Sequence, residues 1–297
     1  MINDAARKYT DRELELLEKR LHAKYSRAYE ELNESWQRYM GQHRAQIQPL
    51  YERMQALKYG DRTEYLAAKR EYQRAMREHT LKNRHYIRVR DSLAHGLANL
   101  DQAAKDLING KLPAIYSVNF NQLAGQLPSG YAYGLITPQT VRGLVMGQMD
   151  FASAVAWNQQ LMNSEVLQGI LQGESMDKIA NRFARVLGMN ETAALRDART
   201  AVTYAENKGR LDSYYEAQAK GTVLVKKWSA THDARTRDSH MDNDGFEREL
   251  GEEFPNGQQC PGDKNAPPHE YYNCRCAMGT RIIGFRRADG SIVYVDD

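Results

Sequence analysis

The chain has 297 residues, 41% of them hydrophobic and 27% charged, with a formal net charge of +3. That length accommodates two domains, and the composition reads as soluble and globular, while a mean hydropathy of -0.73 assigns part of the length to exposed helix rather than core. A charge this close to balance does not mark a nucleic-acid binder by itself, so the placement of charge along the chain carries more information than its total.

The opening MINDAARKYTDRELELL has no apolar stretch after its first basic residues, and no window approaches 18 consecutive apolar residues. A secreted or membrane-spanning chain is therefore not expected. Three cysteines in a chain this long fit a reducing compartment better than a disulfide framework.

From residue 10 to 45, Leu14, Leu17, Leu21, Tyr25, Ala28, Leu32, Trp36 and Tyr39 recur in steps of three and four, which predicts one long amphipathic helix. Thr10 and Glu13 have the spacing of a capping box at its start, Pro49 is expected to bend or end it, and Gly60-Asp61 closes the segment. A second helical run is predicted from Thr63 to Ile108, ended by Gly110, so that residues 1–112 read as an extended charged helical hairpin. Within it, HTLKNRHYIRVR at residues 79–90 is basic, either as a solvated helix face or as a surface for DNA phosphates or an acidic protein.

Residues 112–137 are rich in Gly, Asn and Pro and predict a long connection, with Thr137-Pro138 suited to cap a following helix. A helix is expected over 151–171 and a second from Ser175 to Gly188. A third runs from Asn190 to Lys220, giving a compact helical unit over 113–221. After Gly221 the pattern changes: TVLVKKWSA is strand-like, and RIIGFRRADGSIVYV is two strand-like runs around Asp289-Gly290, a two-residue hairpin signal. Residues 222–297 thus form a small β-rich module interrupted by a Gly-, Pro- and Asp-rich loop of about fifty residues. The fold class is α+β, mostly α-helical, and a loop of that length needs a staple.

All three cysteines, Cys260, Cys274 and Cys276, fall with His232, His240 and His269 inside 45 residues. Three thiolates and an imidazole close a tetrahedral site, so a structural zinc is one reading, and ligation would supply the folding free energy that the loop lacks. Three ordinary buried thiols are the other, since the Cys274-Arg275-Cys276 spacing is tighter than a zinc knuckle. A disulfide across one residue is strained and is set aside. The polar cluster of His232, Asp233, Arg235, Thr236, Arg237, His240, Asp242 and Asp244 raises a metal-dependent nuclease, but no phosphate-cradling glycine loop or second carboxylate-histidine motif accompanies it.

The ordered series Trp228, Asp233-Ala234-Arg235-Thr236-Arg237, His240, Asp244-Gly245, Phe254-Pro255-Asn256-Gly257, Pro261-Gly262-Asp263 and Asn273-Cys274-Arg275-Cys276 resembles the C-terminal signature of phage Mu F-like minor head proteins. Gly173-Glu174-Ser175 before Ile179-Ala180, and Arg199-Thr200 before the tryptophan strand, extend the likeness over roughly residues 165–280. The resemblance implies a non-enzymatic head-morphogenesis component, placed in the virion head after assembly in the host cytoplasm. Its implied partners are the portal or major capsid protein, with genomic DNA as a further one; the alternative is a DNA-binding or DNA-processing protein. Of the metal set read from the residues, His240, Cys274, Cys276 and Cys260 with His269 as the alternative fourth ligand, the resemblance favours His240 as the histidine. Some members carry a Cys-x-x-Cys after the Arg-Thr pair, and His240 stands where its second cysteine would be, with Arg237 departing from the first. Trp228, Asp233, Arg235, Thr236, Gly245, Asn273 and Arg275 are the implied structural motif.

Overall fold

The computed structural model describes residues 4–144, 146–147 and 149–295, in the order α1 (Ala5–Gln42), α2 (Arg44–Ala56), α3 (Arg62–His79), α4 (Arg84–Asn109), α5 (Leu112–Ala124), a single 3₁₀ turn (Pro138–Thr140), α6 (Phe151–Gln172), α7 (Met176–Ala219), β1 (Thr222–Ser229), α8 (Asp238–Asp242), β2 (Glu247–Arg248), α9 (Pro268–Tyr271), β3 (Ala277–Arg286) and β4 (Ile292–Tyr294). The fold is mostly helical with one small antiparallel sheet. No helix among the described residues is long and apolar enough to cross a membrane.

Helix boundaries follow local chemistry that the hydrophobic periodicity did not resolve. Helix α1 begins five residues before Thr10 because Asp4 caps it, its carboxylate accepting from the Arg7 amide at 2.8 Å. Thr10 is buried mid-helix instead, donating to the Ala6 carbonyl at 3.0 Å. Pro49 lies inside α2, and the interruption falls earlier, at His43. The second predicted run is two helices: Thr80 leaves helical geometry while its hydroxyl bonds the Met76 carbonyl at 2.5 Å, and Asn83 caps α4 through the His85 amide at 2.7 Å. The basic stretch 79–90 is therefore not one continuous helical face.

Two further corrections concern glycine and asparagine. Helix α5 occupies part of the predicted connection: Pro113 sits in its first turn, and Leu112, Ile115, Phe120 and Leu123 are buried at helical spacing. Its Asn119, which reads as a loop residue, is fully buried and donates to Thr10 Oγ1 and the Ile115 carbonyl, both at 2.9 Å. Helix α7 runs unbroken through Gly188 and Asn190 for 44 residues. Gly188 keeps helical geometry, and the Asn190 amide bonds Asn158 at 3.0 Å rather than capping.

The chain divides into two compact units. Unit 1 joins residues 1–20, 105–147 and 195–297, and unit 2 joins 21–104 and 148–194, so α1, α4 and α7 each contribute to both. Unit 2 is all helical. Its aromatic centre packs Trp36 against Tyr39, Tyr86 and Phe183, with the Trp36 indole donating to the Ala180 carbonyl at 2.9 Å. Helix α6 ends at Gly173 in the left-handed conformation, as the Gly-Glu-Ser break predicts.

Unit 1 holds the sheet, in the order β2-β1-β3-β4, with all neighbours antiparallel. Strand β1 alternates strictly, turning Thr222, Leu224, Lys226 and Trp228 inward, onto a core with Phe120, Leu123, Leu211, Tyr214, Phe254 and Met278. The β3–β4 turn is centred on Asp289-Gly290 as expected. The Arg287 amide bonds the Ser291 carbonyl at 2.8 Å, which makes it a three-residue loop with Gly290 left-handed. Helices α5 and α7 meet at Gly209, where a Cβ would stand 2.5 Å from the Tyr116 carbonyl oxygen. Gly209→Ala must push two backbones apart, and is expected to cost about 2–3 kcal/mol in urea unfolding.

Candidate metal centre

The long loop folds around the junction of β1 and β3. Trp228 pairs with Met278 and Ser229 with Ala277, which brings Ala230-Thr231 beside Arg275-Cys276. The Thr231 hydroxyl donates to the Arg275 carbonyl at 2.7 Å. The chain then turns at Asp233, whose carboxylate accepts from the Arg235 amide at 2.9 Å and from the Thr236 hydroxyl at 3.3 Å. That turn delivers α8 and buries His240 beneath the strand ends.

Two threonines and an asparagine on α7 fix the other half. Asn273 is the one non-glycine residue with positive φ among the described residues, at 54°, a conformation asparagine tolerates, and its amide bonds Thr200 Oγ1 at 3.0 Å. Thr203 donates to the Cys274 carbonyl at 2.6 Å. Asn207 donates to the Cys276 carbonyl at 3.2 Å and accepts from the Met278 amide at 2.7 Å. Positions 200, 203 and 207 lie on one helical stripe, so α7 acts as a rail along which the Asn-Cys-Arg-Cys backbone is laid.

The result is a buried trio. Ligand atoms of His240, Cys274 and Cys276 all lie within 4.8 Å of one another. His240 Nδ1 is 3.6 Å from Cys274 Sγ and 3.4 Å from Cys276 Sγ. With Zn–S near 2.3 Å and Zn–N near 2.0–2.1 Å, the S···N edge of a zinc tetrahedron is roughly 3.5 Å. His240 Nε2 meets the Glu270 carboxylate at 3.0 Å, and Ser239 donates to the same carboxylate at 3.0 Å, so the imidazole presents Nδ1 to the sulfurs and is oriented from behind, as metal-binding histidines are. Trp228 packs edge-on against the ring at 5.3 Å.

The thiols are electronically unequal. The Cys274 thiol hydrogen-bonds Cys276, which pulls Cys276 down to about 5 against its burial, with His240 acting in the same direction. That hydrogen bond and burial push Cys274 well above the ordinary thiol range. A sulfur whose thiolate is favoured by a neighbouring thiol and an oriented imidazole is a donor suited to a borderline-soft cation.

The other sequence-predicted residues fall outside the trio. Cys260 is buried elsewhere in the same core, where burial and then Asp263 push its thiol up to about 12. His269 is largely exposed, 3.4 Å from the outer side of Glu270. The protein thus brings together three of the four expected ligands and supplies Glu270 behind them. Glu270, unlike the cysteines, carried no spacing signal.

The remaining signature residues organise backbone. Arg275 forks onto Asp233 with one arm at 2.7 Å, holding that carboxyl well below the usual range, and Asp244 accepts from the Ala230 amide and meets His232 Nε2, both at 2.8 Å. Arg237 reaches the Glu270 carbonyl at 3.5 Å and that of Tyr272. Gly245 adopts positive φ and donates to the Trp228 carbonyl at 3.0 Å. Arg235 is exposed beyond its turn. Sequence reasoning also passed over Lys226, whose buried ammonium donates to the carbonyls of Leu250 and Gln259 at 3.1 and 2.9 Å and to the Gln259 side chain at 3.0 Å. This lysine ties the far part of the long loop to β1.

Comparison with known proteins places the signature. Residues 160–279 match the family described as Phage Mu protein F like protein. The chain is 32% identical over 119 residues to a protein named NAD(+)--arginine ADP-ribosyltransferase EFV of Enterococcus faecalis, a stretch covering 39% of this chain and 24% of that one. It is 32% identical over 118 residues to Minor head protein GP7 of Bacillus phage SPP1, covering 38% of this chain and 37% of that one. The chain therefore spans well under half the length of these curated relatives. No solved structure matches it.

Proposed function

We propose, from the match of residues 160–279 to the phage Mu protein F-like family, that the chain is a minor head protein of a tailed phage, a structural component of the virion head assembled in the host cytoplasm. The observation that carries this reading is how the family's polar signature is used. Asp233, Arg237, Asp244, Thr200, Thr203 and Asn207 all bond backbone of the long loop or of the strands beside it, and none of them is left to converge on a substrate. Such a network builds a rigid surface rather than a reacting centre. The partners proposed are the portal and the major capsid protein.

The trio of His240, Cys274 and Cys276 is proposed to hold a structural zinc, which would lock α8 to the start of β3 and leave one coordination position to water or an outside ligand. The name of the enterococcal relative raises transferase chemistry, but the shared stretch is 24% of that protein.

Co-expression with the portal of the encoding phage tests the assignment: recovery of the pair on a tag carried by the portal is expected. A salt series with linear DNA separates the alternative, because phosphate contacts through residues 79–90 would lose orders of magnitude in affinity between about 50 and 200 mM salt. Steep salt-dependent DNA binding without portal capture would replace the assembly reading with a DNA-binding one.

A further inference from the structure

Helix α6 stands out in a chain that is 27% charged. Among its residues Phe151–Gln172, Glu165 alone carries charge, and it is buried, 2.8 Å from Arg182. The outward face is neutral and apolar: Trp157 is 57% exposed, Leu171 49% and Leu167 36%. An exposed tryptophan and leucines on one helical stripe are the composition of an interface centre.

The order of residues along that face identifies its occupant. Taken outward from Ser164, position by position, Leu161 is matched by Leu167, Gln160 by Gln168 and Trp157 by Leu171. At 100° per residue all seven lie within about 60° of the Ser164 direction; six of them are exposed and Leu161 is half-buried. An antiparallel partner helix with the same sequence, crossing at Ser164, would set Trp157 against Leu171, Leu161 against Leu167, glutamine against glutamine and serine against serine. This is the self-complementarity that a two-fold interface requires, in which each contact occurs twice. The small serine at the centre permits close approach, and with no charge on the face, two identical surfaces meet without repulsion.

We propose that α6 is a homodimerisation surface, pairing antiparallel with α6 of a second copy of this chain about a two-fold axis at Ser164. One helix face is smaller than the roughly 800 Å² per partner of a standard interface, so the dimer is weak and reversible.

Sedimentation velocity of the full chain, run from about 1 to 100 μM, is expected to show a monomer passing to a dimer. Trp157→Glu and Leu171→Glu, placed at solvent-exposed positions, should each remain monomeric throughout while keeping the wild-type circular dichroism and melting temperature. A covalent test uses Ser164→Cys. Antiparallel helices with axes about 8–10 Å apart bring the two position-164 Cα atoms within disulfide range, so diamide, by taking two electrons and two protons from the paired thiols, should link the chains. Gln168→Cys, equally exposed but facing Gln160 of the other copy, should link far less, and wild type, whose thiols are buried, should not link. A wild-type monomer at every concentration, a dimer that survives both glutamate variants, or equal linkage of the two cysteine variants would overturn the proposal.

Discussion

Cys276→Ser is expected to abolish binding of the proposed zinc and destabilise the protein by about 3–5 kcal/mol, read as a fall in the urea midpoint together with zinc content by plasma mass spectrometry. Loss of a structural metal belongs to the short list of changes that exceed 4 kcal/mol, because ligation energy is folding energy wherever the unfolded chain has no preformed site. Here the proposed ligands come from two loop ends 34 and 36 residues apart, so a metal held between them would close a long loop as well as a coordination sphere. His240→Ala should act in the same direction and deprive the buried Glu270 carboxylate of its imidazole partner, leaving it the Ser239 hydroxyl and His269. If the trio were three ordinary buried groups, the isosteric Cys276→Ser change would cost about 1–2 kcal/mol, and chelators would leave the melting temperature unchanged.

The second large effect lies at Lys226. Lys226→Met keeps the apolar stem against Phe254 but strands two oxygens, the Gln259 carbonyl and side-chain oxygens, while the Leu250 carbonyl keeps the Tyr215 hydroxyl at 2.8 Å. Unpaired buried acceptors cost about 1–3 kcal/mol each, while removal of a buried charge offsets part of that, so a net loss of about 2–4 kcal/mol is expected at pH 7. The pH dependence gives the sign. Burial pushes the Lys226 ammonium down to about 8 from its ordinary value of 10.5. Between those values the unfolded chain binds more protons than the folded one, so this lysine's contribution to stability rises with pH across the window. The gap between wild type and Lys226→Met should therefore widen from pH 8 to about 10.5, by about 3 kcal/mol at most. A gap that is flat in pH would mean that the ammonium is not desolvated in the fold.

Much of this was legible in the residues. Helix α6 was predicted over 151–171 and spans Phe151–Gln172, β1 and the 289–290 turn fell where expected, and the Cys-x-Cys pair was linked to His240 across the loop. What stayed hidden were interactions whose partners lie far away in sequence. Helix α5 read as a connection because Asn119 looks like a turn residue until Thr10, more than a hundred positions earlier, accepts its amide. Gly188 looked like a terminator, but a glycine ends a helix when it takes positive φ, and this one keeps helical geometry. Thr200, Thr203 and Asn207 carry no catalytic or ligand spacing, since their role is to hold main chain of residues 273–278. Cys260 was drawn toward the metal by its proximity in sequence, whereas the fold leaves it outside the cluster of His240, Cys274 and Cys276.

The central claim, that this chain is a structural part of a phage head, is tested most directly by quantitative mass spectrometry of purified heads from the phage that encodes it. The account predicts the chain in those heads, at a copy number far below that of the major capsid protein and retained after DNA is removed. Heads that assemble and package normally without containing it would contradict the account.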